Sequence, residues 1–315
     1  MIECGEETLV REKKLKGTLM LLLAAMIWGT AFVAQTSAAD SVEPFTFNAV
    51  RSLIGAAFLC VLIRWRGMHG QGVEYKTPEE KKYGRRAGIA CGVLLFAAVN
   101  FQQFGLSSYP ENVAASGRGG FLTASYVVLV ALCARLTGRR LHPLVLLSAL
   151  GCVAGLYLLC LSGGISGLYL GDGLMLICAL FFTAHVLTID HFSRADSVKT
   201  SCIQFLTCGV LSSVCALLFE HTSVSAIVSA WLPILYTGIL SSGVAYTLQI
   251  VGQKDVEPAV ASIVMSLEAV FSALAGWAIL NERLSPRELF GCALVFCAVL
   301  LAQAPALLQK KQNQQ

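Results

Sequence analysis

Residues 262–280 read SIVMSLEAVFSALAGWAIL, an apolar stretch whose single charged side chain, Glu268, lies near its middle. A helix of nineteen residues extends about 28 Å, close to the roughly 30 Å hydrocarbon core of a bilayer. A charge at such depth costs about 2.5–3.5 kcal/mol on insertion scales and usually faces the interior of a helix bundle. The stretch therefore predicts a membrane-spanning helix and marks Glu268 as a candidate functional residue.

The composition indicates that most of the chain, and not only this stretch, lies in a lipid bilayer. Of its 315 residues, 56% are hydrophobic and 13% are charged, whereas soluble proteins carry about 25% charged residues. Runs of strictly alternating polarity, which transmembrane strands would need, are not found. The predicted fold class is an all-α polytopic membrane protein with ten transmembrane helices, near residues 17–39, 44–63, 87–106, 112–134, 141–161, 172–189, 200–219, 228–250, 258–280 and 286–304.

The first run has features of a cleaved signal peptide, with basic residues before it and the small-residue stretch TSAAD at 36–40. It is longer than the usual signal core of about 7–15 residues, and nine further runs follow it. We therefore expect it to stay in the protein as the first span.

Basic residues predict the orientation in the membrane. If the N-terminus is cytoplasmic, 19 of the 23 lysines and arginines fall on the cytoplasmic side, and only Arg283 and Arg287 fall on the other. Arg51 and Arg118 lie within spans. By the positive-inside rule, this bias predicts a plasma (cytoplasmic) membrane protein with both termini cytoplasmic. The net charge of +4 follows from that topology and predicts no nucleic-acid partner.

The sequence contains no motif typical of nucleotide binding, nucleophilic catalysis or zinc binding. Neither a GxxxxGK[ST] phosphate loop nor a GxSxG nucleophile elbow occurs. The 12 cysteines are scattered singly, without Cys-x-x-Cys pairs or zinc-ligand spacing. We therefore predict no cofactor, no metal, no ATP coupling within this chain and no enzymatic activity. The expected partners are a small-molecule substrate and the lipid bilayer, and a homodimer is left open.

The chain divides at the glycine-rich segment LSGGISGLYLGDG, residues 161–173. The predicted parts are a tail at 1–16, a first repeat at 17–162, a second repeat at 171–304 and a tail at 305–315. Five spans per half is an odd number, so the halves would cross the membrane in opposite directions, as in transporters with a midplane site between inverted repeats. Aligning residues 141–143 with 284–286 places Ser125 opposite Glu268. Small-xxx-small pairs, at Gly84, Gly88 and Gly92 and at Gly151 and Gly155, predict close helix contacts.

Four segments in order resemble the EamA family of the drug/metabolite transporter superfamily. They are LAAMIWGTAFVAQ with EPFTFNAVRSLIGA (23–56), FQQFGLSSYPENVAASGRGGFLTASYVVLV (101–130), GDGLMLICALFFTAHVLTIDHFSRADS (171–197) and SLEAVFSALAGWAILNERLSPRELFGCALV (266–295). The resemblance implies ten helices, cytoplasmic termini and a central cavity between the halves. Ala131 and Ala269 stand where the family usually has proline, which makes a kink at Ala269 less expected.

Four ionisable residues inside predicted spans are the main site candidates. Glu268 could bind a substrate ammonium or carry a proton; equally, it could be a protonated or paired group that holds the halves together. Arg51 and Arg118 could together hold an anion. The resemblance favours Arg51 as framework, bonded to carbonyls or to Glu43. Arg118 lies in a glycine-rich segment, residues 117–120, where backbones can approach closely, and a place on the pathway and a structural role are equally expected for it. His185 is a candidate proton relay, with a hydrogen-bonded neutral histidine at least as well supported.

Uncharged polar and aromatic residues within the spans are weaker candidates, because such side chains more often pack or hydrogen-bond between helices. The pathway candidates among them are Trp28, Gln35, Asn100, Gln103, Tyr126, Tyr246 and Gln249. The leading hypothesis is a secondary transporter, an exporter of a small metabolite such as an amino acid, that works by alternating access. The alternatives are a membrane-embedded lipid-handling enzyme and a non-transporting membrane scaffold.

Overall fold

The computed structural model describes residues 2–39, 41–70, 75, 77–110, 115–136, 138, 141–160, 169–221, 223–280 and 285–312. Within these ranges, the side chains of residues 2–11, 116–118, 121, 135, 159–160, 280, 288 and 303–312 are not described.

All regular structure in the described ranges is helical. Fourteen α-helices and one π-helix follow one another. They are α1 (Ile2–Ala39), α2 (Pro44–Met68), α3 (Pro78–Ser107), α4 (Ala115–Ala124), α5 (Tyr126–Leu136), α6 (Pro143–Cys160), α7 (Leu170–His191), α8 (Ser197–Phe219), α9 (Val224–Ser229), α10 (Trp231–Tyr236), the π-helix (Thr237–Ala245), α11 (Tyr246–Gly252), α12 (Pro258–Met265), α13 (Leu267–Leu280) and α14 (Pro286–Gln312).

Seven helical stretches in the described residues are long and apolar enough to cross a bilayer. They are Glu12–Ala39, Pro44–Met68, Pro78–Ser107, Leu170–His191, Ser197–Phe219, Trp231–Gly252 and Pro258–Ile279. Three shorter apolar helices, Leu122–Ala134, Pro143–Leu158 and Leu289–Ala302, coincide with the other three predicted spans. The all-helical membrane architecture is therefore confirmed, while the count of ten spans stays a prediction.

Proline begins five of the α-helices, where its missing N–H costs little and its φ suits the first turn. These residues are Pro44, Pro78, Pro143, Pro258 and Pro286. Two side chains add capping bonds: Thr77 Oγ1 accepts from Glu80 N at 3.2 Å, and Asp196 Oδ1 accepts from Lys199 N at 2.8 Å. These local signals account for several helix starts without tertiary contacts.

Two predicted spans are each divided into two helices at a serine. The predicted span 112–134 consists of α4 and α5, separated at Ser125, and the span 258–280 consists of α12 and α13, separated at Ser266. Each serine hydroxyl donates to the carbonyl three residues earlier, Leu122 O and Ile263 O, both at 2.6 Å. Such side-chain bonds compete with the regular helical pattern and commonly bend helices. The lack of proline at 131 and 269 therefore does not leave these helices straight.

The two breaks also correct the alignment of the halves. Anchoring on the later prolines paired Ser125 with Glu268, whereas the helix breaks pair Ser125 with Ser266. The difference arises because the second half has two more residues between its break and Pro286 than the first half has before Pro143. Glu268 is therefore in the first turn after a break.

Helix contacts form a pattern that is almost unchanged when the first five predicted spans are exchanged with the second five. α2 packs on α8, α6 packs on α14, α4 packs on α13, and α5 packs on α12. The remaining main contacts of one half each have a counterpart in the other half. α3 contacts α7 and α8, and the matching π-helix contacts α1 and α2. In the same way, α7 contacts α4 and α5, and the matching α1 contacts α13 and α12.

Glycines allow some of these close approaches, as the small-residue pairs predict. A Cβ on Gly92 would lie 2.7 Å from Gln204 O, and one on Gly155 would lie 2.9 Å from Gly291 O. By contrast, the nearest atom to a Cβ on Gly151 would be Ala298 Cβ at 3.7 Å, an ordinary contact. The α3–α8 and α6–α14 interfaces therefore depend on particular glycines and not on every member of the predicted pairs.

Candidate functional site

A cavity lies among the helices of both halves and includes about 490 Å³ of space free of protein atoms, counting its open mouth. Its walls come from α1, α2, α3, α4, α5, α7, the π-helix, α11, α12 and α13. The lining residues are Trp28, Phe32, Gln35, Arg51, Gln102, Thr123, Tyr126, Phe182, Val186, Ser241, Tyr246, Gln249, Met265 and Glu268. Half of these residues are apolar or aromatic and half are polar or charged. The wall therefore combines apolar surface with groups that can orient a ligand, as small-molecule sites do.

Arg51 and Glu268 are the two charged side chains on the described part of this wall. They retain 3% and 6% of their exposed surface, so both are removed from bulk solvent. No ion pair joins them within the described residues. Each buried charge is therefore left to interact with whatever enters the cavity.

Glu268 is positioned by the break before it and by a close approach of α1. A Cβ added to Gly29 would lie 2.8 Å from both Glu268 O and Ser272 N, so glycine is needed there for α1 to meet α13. The Ser266 hydroxyl lies 2.9 Å from Cys152 Sγ, which connects the break to α6. Among the described residues, none hydrogen-bonds to the Glu268 carboxylate.

Arg51 is held by an amide and not by Glu43 or a carbonyl. Its Nε donates to Asn48 Oδ1 at 2.7 Å, and its guanidinium carbon lies 5.4 Å from the centroid of the Phe47 ring. Asn48 Nδ2 in turn donates to Asn100 Oδ1 and to Val99 O, both at 3.0 Å. The structure therefore corrects the expected partner of Arg51, and its guanidinium reaches the cavity wall.

Aromatic rings form much of the remaining wall. The ring centroids of Trp28 and Tyr246 are 4.7 Å apart in an edge-to-face arrangement, and those of Tyr126 and Phe182 are 6.4 Å apart. Such contacts favour fixed ring positions. These four rings line the same cavity as Arg51 and Glu268.

Three polar atoms on the wall lack a hydrogen-bond partner among the described residues. They are the donor Trp28 Nε1 and the acceptors Gln35 Oε1 and Gln249 Oε1. Buried polar groups are normally paired, so each unpaired one calls for an explanation. A polar ligand in the cavity would supply partners of both kinds.

The structure brings together seven of the eleven site candidates. Those on the cavity wall are Trp28, Gln35, Arg51, Tyr126, Tyr246, Gln249 and Glu268. Three others are buried behind it: His185 Nε2 lies 3.1 Å from Gln204 Oε1, Asn100 bonds Asn48, and Gln103 Nε2 donates to Gln35 O at 3.2 Å. Arg118 lies in α4, but its side chain is outside the described residues.

Some wall residues were not singled out from the sequence. Gln102 Nε2 donates to Thr123 Oγ1 at 3.4 Å, and Ser241 lies in the π-helix. π-Helical segments occur frequently at functional sites, yet the sequence of Thr237–Ala245 carries no clear signal for one. For Gln102, the neighbouring Gln103 was chosen instead, since the helical phase of α3 could not be assigned without its partners.

Comparison with known proteins completes the description. The EamA-like transporter family matches residues 15–161 and, separately, residues 169–303. The chain belongs to this family. An uncharacterized transporter of Archaeoglobus fulgidus is 32% identical, over 92% of this chain and 86% of the relative. This EamA-like protein is therefore a multi-pass membrane transporter, as its apolar helices also indicate.

More distant relatives carry similar names. The uncharacterized transporter YoaV of Bacillus subtilis is 20% identical, over 91% of this EamA-like chain and 96% of the relative. The uncharacterized inner membrane transporter YedA of Escherichia coli is 23% identical, over 88% of this chain and 87% of the relative. A solved crystal structure matches with a TM-score of 0.74 and 24% identity, over 92% of this chain and 97% of that one, which shows a shared fold.

Proposed function

We propose that this protein is a secondary transporter that exports a small zwitterionic metabolite, such as an amino acid, across the cytoplasmic membrane. The observation that carries the proposal is the cavity with Arg51 and Glu268 on its wall, both buried and not paired with each other. A carboxylate fits a guanidinium as a bidentate partner, and an ammonium group fits a carboxylate. The aromatic residues on the same wall suit an apolar side chain.

Alternating access between two inverted halves is the mechanism we propose. The two separate family matches and the near-symmetric helix contacts support it, because inverted repeats place a site at their interface and rock around it. Within it, Glu268 binds the substrate ammonium or exchanges a proton. We further propose that both termini are cytoplasmic, on the strength of the biased distribution of basic residues.

Transport by purified protein in liposomes tests the proposal. Vesicles loaded with a mixture of amino acids are assayed for efflux over a range of pH, with the wild type and Glu268→Gln compared. Loss of a charge-assisted bond of about 1.5–3 kcal/mol predicts a reduction of roughly tenfold or more in Glu268→Gln. The pH dependence of the remaining efflux should also be flatter.

Glu257→Gln is the matched control, because Glu257 is exposed at the start of α12 and caps no backbone group with its side chain. This variant should transport like the wild type. If efflux is no faster than from loaded liposomes that contain no protein, the proposal of an amino-acid exporter is rejected. Unchanged rate and pH dependence in Glu268→Gln would remove Glu268 from the mechanism.

A further inference from the structure

We propose that Arg51 forms a carboxylate-binding subsite, and that the chain of hydrogen bonds through Asn48 and Asn100 to Ser212 is what orients it. This inference rests on the proposed function in one respect, namely that the substrate occupies the cavity. It adds that the carboxylate of the ligand binds at Arg51, and it assigns a positioning role to Asn48 and Asn100, which are not on the cavity wall.

The guanidinium has unused hydrogen-bonding capacity. Arg51 is 3% exposed, and its Nε is committed to Asn48 Oδ1 at 2.7 Å. Neither of its terminal nitrogens has a hydrogen-bond partner among the described residues, and Arg51 lines the cavity. A buried cation without a countercharge is unfavourable. Two adjacent free N–H groups present the fork that a carboxylate accepts.

Among the residues that the structure describes, none supplies an anion that pairs with Arg51. Glu268, the other charged residue on the described wall, forms no ion pair with Arg51. A ligand anion in the cavity would supply the countercharge that the described wall lacks. Because rings such as Trp28, Tyr126 and Phe182 also line it, a carboxylate attached to an apolar group suits the site better than a small inorganic anion.

The hydrogen bonds behind Arg51 define its direction. Asn48 Nδ2 faces two acceptors, Val99 O and Asn100 Oδ1, so its Oδ1 must face Arg51. Asn100 Nδ2 likewise donates to Phe96 O at 2.7 Å and to Ser212 Oγ at 3.1 Å. A backbone carbonyl oxygen can only accept a hydrogen bond, so the amide nitrogen of each asparagine must face it. The amide oxygen of each asparagine then faces the other way, which fixes the orientation of both side chains. Arg51 is thereby tied to α3 and α8 through residues that need not touch the ligand.

A pair of probes separates the subsite from a general loss of folding. Phenylacetate and 2-phenylethylamine both carry a phenyl ring but have opposite charges. Their dissociation constants are measured by isothermal titration with the full-length purified protein. We expect the wild type to bind phenylacetate. Arg51→Gln should weaken phenylacetate at least tenfold and leave 2-phenylethylamine within about twofold.

Asn48→Asp tests whether the residue that holds Arg51 has to be a neutral acceptor. The new carboxylate has nearly the same shape as the amide but pairs with Arg51 and so competes with the ligand anion. We expect at least a tenfold loss of phenylacetate affinity without a loss for 2-phenylethylamine. Ser52→Ala is the control, because Ser52 is 1% exposed on the same helix but its hydroxyl points to Cys208 Sγ at 3.5 Å. It should bind both probes like the wild type.

Four results would overturn the proposal. They are no phenylacetate binding by the wild type at millimolar concentration, equal losses for both probes in Arg51→Gln, unchanged phenylacetate binding in Asn48→Asp, and chloride or phosphate binding at Arg51 that excludes phenylacetate. If Arg51→Gln does not fold, Arg51→Lys replaces it, with the same direction of effect expected. Since no transport is measured, binding without efflux would keep the subsite and reject the exporter. Amino-acid efflux together with equal phenylacetate binding by the wild type and Arg51→Gln would do the reverse.

Discussion

Ser125 and Ser266 make the same interruption in two different helices. Each serine separates two helical segments, and each donates its hydroxyl to the carbonyl three residues earlier at 2.6 Å. After each break, the backbone bond also spans three residues: Val128 N donates to Ser125 O at 3.1 Å, and Ala269 N donates to Ser266 O at 3.2 Å. Tyr126 and Glu268, which follow the breaks, both line the cavity.

Replacing Ser266 with alanine should lower the free energy of unfolding by about 0.5–1.5 kcal/mol, because both its local bond and its contact with Cys152 are lost. Ser262→Ala is the control. Ser262 makes the same kind of bond, to Ala259 O at 2.8 Å, but lies inside a continuous helix. Ser262→Ala should lower the free energy of unfolding by less than Ser266→Ala does. Reversible unfolding in mixed micelles measures both, and a larger effect at Ser262 would contradict the assigned role of the break.

Gly155→Ala should destabilise the α6–α14 interface by about 1–3 kcal/mol, as expected for overpacking. The added Cβ would lie 2.9 Å from both Gly291 O and Val295 N, and these backbone atoms cannot move aside alone. Gly151→Ala, one turn earlier, meets only Ala298 Cβ at 3.7 Å. It should be neutral or slightly stabilising, because alanine lowers the entropy of the unfolded chain. Equal thermal shifts for the two variants would contradict this packing.

Mild oxidation should cross-link Cys60 to Cys202, whose sulfur atoms lie 3.4 Å apart between α2 and α8. Each thiol loses one proton and one electron to the oxidant, copper phenanthroline with oxygen, and an S–S bond forms. The assay needs the other ten of the 12 cysteines replaced and a protease site inserted in residues 161–168. After cleavage, the two halves should migrate as one band until reductant is added.

Cys60→Ser is the control for this cross-link, and its halves should separate with or without reductant. Separation of the oxidised double-cysteine protein would contradict the contact between α2 and α8. The result bears on the architecture directly, since this contact joins the first family match to the second.

Glu220→Ala should lower the free energy of unfolding by about 1–3 kcal/mol. The carboxylate accepts from Phe45 N, Thr46 N and Thr46 Oγ1, all at 2.7 Å, and so caps the start of α2. A negative charge at a helix N-terminus is favourable, and the first N–H groups there have no partner within the helix. Glu257→Ala, at a helix start without a side-chain bond, should shift the melting temperature little. The prediction fails if both variants melt alike.

Much of the architecture could be predicted from the order of residues alone. Each apolar run by itself indicates that its segment lies in the bilayer, so the spans can be predicted from local sequence. The prolines at the starts of several spans can be recognised in the same way. A buried charge such as Glu268 stands out for the same reason, because hydrocarbon penalises it wherever its partners are. The family resemblance, which the comparison confirms, also rests on short motifs read in order.

The arrangement of the cavity could not be predicted in this way. Arg51 depends on Asn48 for its direction, and Asn48 depends on Asn100, 52 residues further along the chain. Glu220 caps α2 from 174 residues away. Nothing in the local pattern separates these side chains from ordinary packing residues, and the helical phase that places Gln102 rather than Gln103 on the wall is set by neighbouring helices.

The sequence by itself therefore determined the solvent, the helical class, the family and most of the polar residues worth attention. The tertiary structure alone decided which of them face one cavity, where two helices break, and which amide orients the buried arginine. The physical reason is that burial in a bilayer acts on each residue separately, through its transfer free energy. Hydrogen-bond direction and close packing act between residues that only the folded bundle brings together.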